Sequence, residues 1–259
     1  MFTWDQTRDF ASLQPKAAVA YHFAPTLEGW CTFSTGYQPG GFSVSQDDPV
    51  NARFKAATSQ HYEIGISGHC LDGSFSATVS AFWIETHDYQ VYRPVSLTEF
   101  QVLNADSART LGAEAEVRYR PVTGLELRIA GGYANAEFRD FQSNGTDLSG
   151  KTINFVPAFT LDASATYRHS TGFFASIGAT AVGDYWFDEE NTRKQSAYAL
   201  LHARAGWGKK NFEIALVGRN LLGENYYANA LDLGLASLNR FVGTPGDPAT
   251  FGVEVSARF

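Results

Sequence analysis

The stretch that decides the fold is Thr250-Phe251-Gly252-Val253-Glu254-Val255-Ser256-Ala257-Arg258-Phe259. Its odd-numbered positions are apolar or small, and its even-numbered positions are polar, charged or glycine. Successive side chains of a β-strand point to opposite faces, so this alternation predicts a strand with one apolar and one polar face. The apolar set is Phe251, Val253, Val255, Ala257 and Phe259.

The same division recurs between residues 110 and 120 and between residues 158 and 168. In the first stretch the small or apolar set runs from Leu111 to Tyr119, and the opposite set includes Glu114 and Glu116. Soluble β-sandwiches also alternate, but their strands usually run about five or six residues. These longer strands are typical of a transmembrane β-barrel, in which one face meets lipid and the other meets water.

The pattern predicts about twelve antiparallel strands. The predicted ranges are 11–24, 27–37, 60–70, 74–93, 99–106, 107–120, 124–138, 157–169, 172–186, 196–208, 211–220 and 247–259. The fifth and sixth of these abut through Asn104-Ala105-Asp106-Ser107.

The predicted connections alternate in length. Short turns fall at residues 24–26, 71–73, 122–124, 170–172 and 209–210, and longer segments fall at 38–60, 139–156, 187–195 and 221–246. Outer-membrane barrels have short periplasmic turns and long external loops, and a sandwich gives no reason for this alternation. Aromatic residues near strand ends are expected to form interfacial girdles. These residues are Tyr21, Trp30, Tyr119, Tyr167, Tyr185, Trp186 and Trp207.

Composition excludes several functional classes. The 259 residues carry a net charge of -7, whereas nucleic-acid binding requires clustered Lys and Arg, so no nucleic-acid partner is expected. There is no run of 18 apolar residues, which excludes a transmembrane helix. The mean hydropathy of -0.21 is compatible with a barrel, because only alternate residues face lipid. The first six residues do not resemble a signal peptide, which suggests a fragment.

Three sequence features could indicate a nucleotide, catalytic or metal site, but the residues around them do not support such a site. Residues 145–152 match the nucleotide-binding pattern G-x-x-x-x-G-K-[ST], but a β-prone run and Pro157 follow them instead of a helix. Residues 65–69 miss the G-x-S-x-G pattern by one position and lie within a predicted strand. The six histidines include no i,i+4 pair. We therefore predict no enzymatic activity, no cofactor and no metal site.

Carboxylates on the polar faces are expected to line a water-filled lumen. They are Glu63, Glu114, Glu116, Asp162 and Glu254. Cys31 and Cys70 match no metal spacing, and they are expected to be free small residues on the barrel surface or, if their strands are neighbours, a disulfide.

Several segments resemble the C-terminal barrel of TonB-dependent receptors. Residues 33–42 are similar to the family's "Y-S-x-G-[YF]-K-P-G-G-[FY]", and residues 62–65 are similar to its "Y-E-x-G". Asn104-Ala105 with residues 112–116 resembles "N-A…G-x-E-x-E", and residues 217–227 resemble the signature "x-x-N-L-[FL]-[DG]-x-x-Y". The order and spacing of these segments across about residues 10–259 are specific to the family. The overall character of the sequence is most similar to that of ferric-siderophore receptors.

The resemblance implies a barrel of about 22 strands with a plugged lumen in the Gram-negative outer membrane. Residues 1–259 would be its C-terminal portion, without the plug domain and the signal peptide. The complete protein would bind a scarce ligand such as a ferric siderophore and import it with energy from the TonB complex. Its other partners would be outer-membrane lipid and the barrel-assembly machinery. That machinery would recognise the last strand through Phe251, Val253, Val255, Ala257 and Phe259.

Ligand contacts are expected at external loops and upper strand ends, because aromatic rings and Arg suit flat anionic chelates. The candidates are Tyr37, Tyr92, Arg93, Tyr185, Trp186, Tyr227 and Arg240, although the Tyr and Trp residues also suit a girdle. The alternatives are a porin-like passive channel, a non-functional truncated fragment and a soluble all-β domain.

Overall fold

The computed structural model describes residues 7–43, 52–94, 100–143, 145–232 and 241–258. All regular elements in these ranges are β-strands, and within them no helix is long and apolar enough to cross a membrane. The strands are β1 (Lys16–Ala24), β2 (Leu27–Gln38), β3 (Gly41–Phe42), β4 (Arg53–Phe54), β5 (Ala57–Cys70), β6 (Phe75–Pro94), β7 (Phe100–Tyr119), β8 (Leu125–Asp140), β9 (Gln142–Ser143), β10 (Thr146–Asp147), β11 (Phe159–Arg168), β12 (Phe173–Val182), β13 (Tyr185–Trp186), β14 (Lys194–Gln195), β15 (Tyr198–Lys209), β16 (Phe212–Arg219), β17 (Tyr227–Asp232), β18 (Phe241–Pro245) and β19 (Thr250–Ala257).

Eleven strands form one antiparallel sheet in the order β1-β2-β5-β6-β7-β8-β11-β12-β15-β16-β19. The remaining strands form four two-stranded sheets within the long connections: β3–β4, β9–β10, β13–β14 and β17–β18. The main sheet follows chain order without a crossover, as in an up-and-down barrel wall. The prediction of an all-β antiparallel barrel portion is confirmed.

The structure corrects the division of the strands between residues 99 and 120. The two predicted strands 99–106 and 107–120 are one strand, β7, whose pairing with β6 runs from Phe100 to Tyr119. The sheet in the described ranges therefore has eleven strands where about twelve were expected. Asn104 lies within this strand, and its side-chain amide accepts from the Lys55 N–H and donates to the Asp88 carbonyl.

One face of the main sheet is apolar across its width. Directly opposed residues of paired strands lie on the same face, so the pairs Leu216–Val253, Ile214–Val255 and Ile214–Trp207 join the apolar sets of three strands. We call this the apolar face. Its side chains are largely exposed, and Phe251 is 78% exposed. Exposure of this extent over many strands fits contact with lipid.

Large side chains border the apolar face in two rows. The lower row, at the short turns, contains Tyr21, Phe75, Tyr119, Tyr167, Phe173 and Trp207, and the upper row contains Phe33, Tyr62, Trp83, Leu111, Tyr133 and Phe159. On β11, Phe159 and Tyr167 are eight residues apart, or roughly 27 Å along the strand. At a tilt of about 35–45°, that length rises roughly 19–22 Å along the membrane normal, which is most of the apolar band of about 25 Å in an outer-membrane barrel.

The upper row marks an abrupt change of polarity. The Trp83 Nε1–H donates to Glu85 at 2.7 Å, and the Tyr62 hydroxyl donates to Gln60 at 3.1 Å. Arg109, which is paired with Glu85 in the ladder, binds Glu137 on the next strand. The polar ends of the aromatic rings thus point away from the apolar band, as at a membrane interface.

The structure confirms part of the expected girdle and corrects the rest. Tyr21, Tyr119, Tyr167 and Trp207 belong to the lower row, but Trp30 lies on the opposite face, where its indole covers Gly65. A Cβ on Gly65 would approach the ring to 2.2 Å, so the glycine makes room for this indole. Tyr185 and Trp186 form β13 within a long connection, outside the main sheet.

Ion pairs cross the strands on the second face of the sheet, which we call the polar face. Arg128 of β8 donates to Glu116 of β7 at 2.6 Å and to Asp162 of β11 at 2.9 Å, and Thr180 of β12 donates to Asp162 at 3.0 Å. All five carboxylates expected to face the lumen lie on this face. Arg128 thus bridges carboxylates of two neighbouring strands on the face that the sequence predicts to be polar.

Nearer the short turns, a second group of ion pairs surrounds an aromatic ring on the polar face. Arg204 donates to Glu213 at 2.7 Å and to Glu254 at 3.2 Å, and Arg168 lies 3.9 Å from Glu213. The guanidinium carbons of Arg204 and Arg168 lie 4.7 Å and 5.0 Å from the ring centroid of Phe174. Two cation–π contacts therefore cover the Phe174 ring, which is 6% exposed.

Candidate functional site

The long connections all leave the main sheet at the same end, which we call the rim. Antiparallel order places the short turns β1–β2, β5–β6, β7–β8, β11–β12 and β15–β16 at the opposite end. The connections β2–β5, β8–β11, β12–β15 and β16–β19 are at the rim and carry the four small sheets. A surface built from several loops on a rigid scaffold is the usual place for binding.

The β8–β11 connection packs against the upper parts of β6, β7 and β8. Phe138, Phe141, Leu148 and Val91 are at most 2% exposed and form one cluster with Ala105, Ala108, Ala136 and Ile153. The Phe138 and Phe141 rings are 4.9 Å apart. This connection is therefore a packed part of the rim.

A second aromatic cluster joins the connections β12–β15 and β16–β19. Phe187, which is 4% exposed, lies at its centre. Its ring centroid is 5.4 Å from Tyr185, 5.7 Å from Phe241 and 5.8 Å from Phe155. Tyr227 packs on the far side of Phe241 at 6.0 Å. We call these five residues the rim aromatic cluster.

The exposure of the cluster is uneven. Phe155 and Tyr227, at its two ends, are 43% and 46% exposed, whereas Phe187 and Tyr185 are buried. The Tyr185 hydroxyl donates to the carbonyl of Tyr227 at 3.1 Å. Burial raises the pKa of Tyr185 above its ordinary value of 10.0, so this donating hydroxyl keeps its proton to a higher pH than an exposed tyrosine does. The cluster thus presents two exposed rings on a fixed aromatic base.

Arg93 links the strand β6 to two rim connections. Its Nε–H donates to Glu189, and its Nη2–H donates to the Ser143 hydroxyl at 2.8 Å. The side chains of Arg93 and Glu189 are only 17% and 7% exposed. Since the guanidinium is already paired and largely buried, these contacts hold β6, β9 and the β13–β14 connection together.

Hydrogen bonds to backbone groups stabilise the β13–β14 connection further. Thr152 donates its N–H to the Asn191 side chain at 2.8 Å and accepts a hydrogen bond from the same amide at 2.9 Å. The Phe155 N–H donates to the carbonyl of Trp186 at 2.8 Å. Asp188 accepts hydrogen bonds from the N–H groups of Thr192 and Arg193.

The β2–β5 connection packs on the other side of the β6–β7 ribbon. Gln90 donates to the carbonyls of Pro39 and Lys55 at 2.9 Å and 3.1 Å. Its neighbour Val91 belongs to the first cluster, so the two side chains point to opposite faces of the ribbon. Lys55 forms a 2.8 Å ion pair with Asp88, which raises the pKa of Lys55.

The structure separates the residues predicted to contact a ligand into two groups. Tyr185 and Tyr227 lie in the rim aromatic cluster, and the backbone of Trp186 binds Phe155 of that cluster. Tyr37 and Tyr92 lie elsewhere, and the Tyr92 hydroxyl accepts a hydrogen bond from Gln38 at 3.1 Å. Arg93 reaches the β13–β14 connection through Glu189. Arg240, like Phe259, lies outside the described residues.

The sequence did not single out Phe155, Phe187, Phe241 or Glu189. Phe155 follows the β-prone run after the nucleotide-like motif, and Phe187 opens a segment predicted as a loop. The available signal was that Phe155, Phe187 and Phe241 all lie in long predicted loops, where several large apolar side chains indicate packing or binding.

The remaining sequence motifs take structural roles. Residues 145–152 form the strand β10 and a turn in which Leu148 is buried and Gly150 has a φ of 79°. Cys31 and Cys70 lie on the neighbouring strands β2 and β5, but Cys31 faces Ile64, six residues from Cys70, and both thiols are free. Within the described ranges, no three His, Cys, Asp or Glu side chains are grouped to hold a metal ion.

Comparison with known proteins matches the chain to one family. The family model described as "TonB dependent receptor-like, beta-barrel" matches residues 2–221. The pesticin receptor of Yersinia enterocolitica is 28% identical over 216 residues, which are 81% of this chain and 31% of that receptor. The ferric-pyoverdine M114 receptor PbuA of Pseudomonas sp. (strain M114) is 24% identical over 262 residues, which are 98% of this chain and 30% of PbuA. The chain thus spans about a third of the length of these relatives.

Solved structures share the architecture. The ferric yersiniabactin uptake receptor FyuA from Yersinia pestis has a TM-score of 0.78 at 22% identity, covering 94% of this chain and 37% of FyuA. The copper transporter OprC has a TM-score of 0.73 at 14% identity, covering 94% of this chain and 39% of OprC. At these identities the likeness shows a common fold.

Proposed function

Because this chain belongs to the family of TonB-dependent receptor-like β-barrels, we propose that it forms the C-terminal part of an outer-membrane receptor for a ferric siderophore or a similar iron chelate. The complete receptor takes up the chelate with energy from TonB. The family consists of transport receptors and not of enzymes, so the rim is a binding surface in this proposal.

The rim aromatic cluster is the observation that supports ligand binding most directly. Its exposed rings, Phe155 and Tyr227, are supported by buried Phe187 and Tyr185, so they lose little conformational freedom when a ligand binds. Trp186 adds an indole that carries the Lys194 ammonium 5.6 Å from its ring centroid. Exposed aromatic rings suit a flat chelate, and the Lys194 ammonium is paired with Asp184 at 2.8 Å.

The apolar face supports the proposed location. Its two rows of large side chains bound an apolar band, and polar residues begin directly above the upper row, as in outer-membrane barrels. In the proposal, outer-membrane lipid covers this face, and the barrel-assembly machinery reads Phe251, Val253, Val255, Ala257 and Phe259 during insertion. The TonB complex acts through parts of the receptor other than residues 1–259.

The test is ligand binding by the full-length gene product that contains residues 1–259, purified from outer membranes. Quenching of tryptophan fluorescence by a panel of ferric siderophores gives the dissociation constants. We expect Tyr227→Ala to weaken binding of the preferred chelate about tenfold, because it removes an exposed ring, and Tyr62→Ala on the apolar face to leave binding unchanged. Equal affinity in wild type and Tyr227→Ala would contradict the rim site.

A further inference from the structure

The apolar face carries a groove directly below its upper row of large side chains. The groove crosses the strands β1, β2, β5, β6 and β7, has a volume of about 490 Å³ and is lined almost entirely by apolar atoms. This volume lies within the range of small-molecule sites, about 300–1,000 Å³. The membrane-facing wall is therefore not uniform, because at this place it offers a concave apolar site.

Short side chains form the floor of the groove. Cys31 and Ala81 lie on the two sides of Ile64, with which both are paired in the sheet. Val19 lies on the other side of Cys31. Ile64 and Val19 are 65% and 67% exposed, so they project from the sheet. Because paired side chains of one face stand side by side, the short ones leave depressions between the long ones.

The upper row forms one wall of the groove, and its rings are held in place. Phe33 and Tyr62 pack with their ring centroids 5.1 Å apart. The wall continues with Trp83 and Leu111, which are paired with each other. The hydrogen bonds of Tyr62 and Trp83 to side chains above the row fix the orientation of both rings. The groove is therefore formed before a ligand enters, which lowers the cost of ordering on binding.

A polar layer lies directly above this wall and consists of Glu85, Arg109, Glu137 and Arg139. The guanidinium carbon of Arg109 lies 5.9 Å from the ring centroid of Trp83, and Arg109 donates to Glu137. Arg139, whose side chain is 51% exposed, donates to the same carboxylate at 2.7 Å. A guanidinium has five N–H groups, so donors remain beyond those that bind Glu137. The two carboxylates balance the two guanidinium charges, so the layer offers hydrogen bonds without a net charge.

We propose that this groove, which we call the acyl groove, binds one fatty-acyl chain of lipid A, whose headgroup lies on the polar layer. The groove is at the rim side of the apolar band, and the long connections of outer-membrane barrels are external, so it opens to the outer leaflet. Phosphate and sugar oxygens of the headgroup accept hydrogen bonds from the guanidinium groups. The inference goes beyond ligand uptake and rests on the outer-membrane location in the proposed function.

The shape of the groove favours an acyl chain over a second barrel. A barrel wall is broad and convex, so it does not enter a groove between neighbouring side chains, whereas a single chain does. Lipid tails are as apolar as the groove, so transfer from the surrounding lipid adds little hydrophobic free energy. Retention therefore depends on close contact with the preformed wall and on the headgroup hydrogen bonds.

Two substitutions fill the groove from its floor. Ala81→Phe and Cys31→Phe each place a ring where the acyl chain would lie, and both positions face lipid, so the polar face is unchanged. Ala163→Phe is the matched control, because Ala163 lies on the same face of β11, outside the groove. Arg139→Gln removes a charged donor from the polar layer, and Arg118→Gln, on the polar face, is its control.

The experiment uses the full-length gene product, purified from outer membranes in a mild detergent. Native mass spectrometry gives the fraction of protein that retains lipid A. We expect retention by wild type, Ala163→Phe and Arg118→Gln, and about tenfold weaker retention by Ala81→Phe, Cys31→Phe and Arg139→Gln. After delipidation, added lipid A should rebind to wild type about tenfold more tightly than added phosphatidylethanolamine.

Equal retention by wild type and both groove-filling variants would overturn the inference, and so would an equal loss in Ala163→Phe. Tighter rebinding of phosphatidylethanolamine would assign the groove to a phospholipid and reject lipid A. Heat-dependent electrophoretic mobility checks the fold of each variant, and Ala81→Leu replaces a Phe variant that does not fold. Binding of a ferric chelate without retention of lipid A removes the acyl groove alone, whereas a wild-type product absent from the outer membrane sinks the proposed location itself.

Discussion

At the scale of single residues, Arg93 shows how one side chain organises the rim. It joins β6 to Glu189 and Ser143, residues that are far apart in sequence. Because the ion pair is largely buried, each charge depends on the other for compensation. The sequence suggested Arg93 as a ligand contact, and its existing partners favour a structural role in the absence of ligand.

Replacing one member of this pair should loosen the β13–β14 connection. Arg93→Ala leaves the Glu189 carboxylate buried without its cation, which should cost about 3 kcal/mol. Hydrogen exchange of the Phe187 amide, which binds the Arg193 carbonyl at 2.9 Å, should become roughly 100-fold faster.

The double variant Arg93→Met/Glu189→Leu serves as the control. It removes both charges and keeps apolar volume, so it should exchange more slowly than Arg93→Ala. If the free-energy cost of opening in the double variant equalled the sum of the costs in Arg93→Met and Glu189→Leu, the pair would not be coupled and the assignment would be wrong.

Asn191 supports a second prediction at this scale. Its φ is 57° and its amide makes both hydrogen bonds with Thr152. Asn191→Gly still permits a positive φ but removes the hydrogen bonds, which should destabilise the connection by about 1–2 kcal/mol. Asn191→Ala also imposes strain and should cost about 1 kcal/mol more. Exchange of the Phe187 amide, which binds the Arg193 carbonyl in the same connection, measures both costs, and equal exchange in the two variants would exclude backbone strain.

At the scale of elements, the β13–β14 hairpin should respond to acid. The Lys194 ammonium donates to Asp184 at 2.8 Å and lowers the pKa of that carboxyl below its ordinary value of 3.8. A lowered folded-state pKa means that the ion pair stabilises the hairpin above pH 3.8 and that this contribution is lost as the pH falls through the lowered pKa. Acid should therefore loosen the hairpin.

Fluorescence of Trp186 reports this change, because the Lys194 ammonium lies over its ring. The difference between wild type and Trp186→Phe isolates its signal from those of the other tryptophans. The signal should titrate below pH 4 in wild type and stay flat in Asp184→Asn. A titration that persists in Asp184→Asn would assign the effect to another group.

The elements also show what could be predicted from the sequence. Apolar and polar residues alternate within the sequence of each strand, and this alternation alone gives the strand's position and its two faces. The faces of β7, β11 and β19 were therefore predicted correctly. The strand boundary placed at residues 104–107 was wrong, because β7 pairs with β6 on both sides of it, and Asn104 binds a loop from another part of the chain. The rim depends on such distant pairs: Arg93 and Glu189 are 96 residues apart, and Tyr185 and Tyr227 are 42 apart. No local pattern encodes those contacts.

At the scale of the whole molecule, the direction of the strands decides how the sheet can close. The described part of the main sheet has eleven strands in alternating directions, so its outer strands β1 and β19 run the same way. The pairing of outer-membrane barrels is antiparallel, and unpaired backbone groups are costly in lipid. The eleven strands therefore do not close on themselves by antiparallel pairing, which argues against a self-contained porin-like channel.

Disulfide cross-linking tests this directly. In a chain with Cys31→Ala and Cys70→Ala, Val19→Cys on β1 is combined in turn with a cysteine at each position of β19. Because β1 and β19 are not neighbours in the sheet, oxidation in outer membranes should give no cross-link within residues 1–259. The matched control is Ala163→Cys with Ala179→Cys, which are directly opposed on β11 and β12 and should cross-link readily, since opposed Cβ atoms are about 5 Å apart. A strong β1–β19 cross-link at one register would mean that the eleven strands close by parallel pairing, and the passive-channel alternative would then regain support.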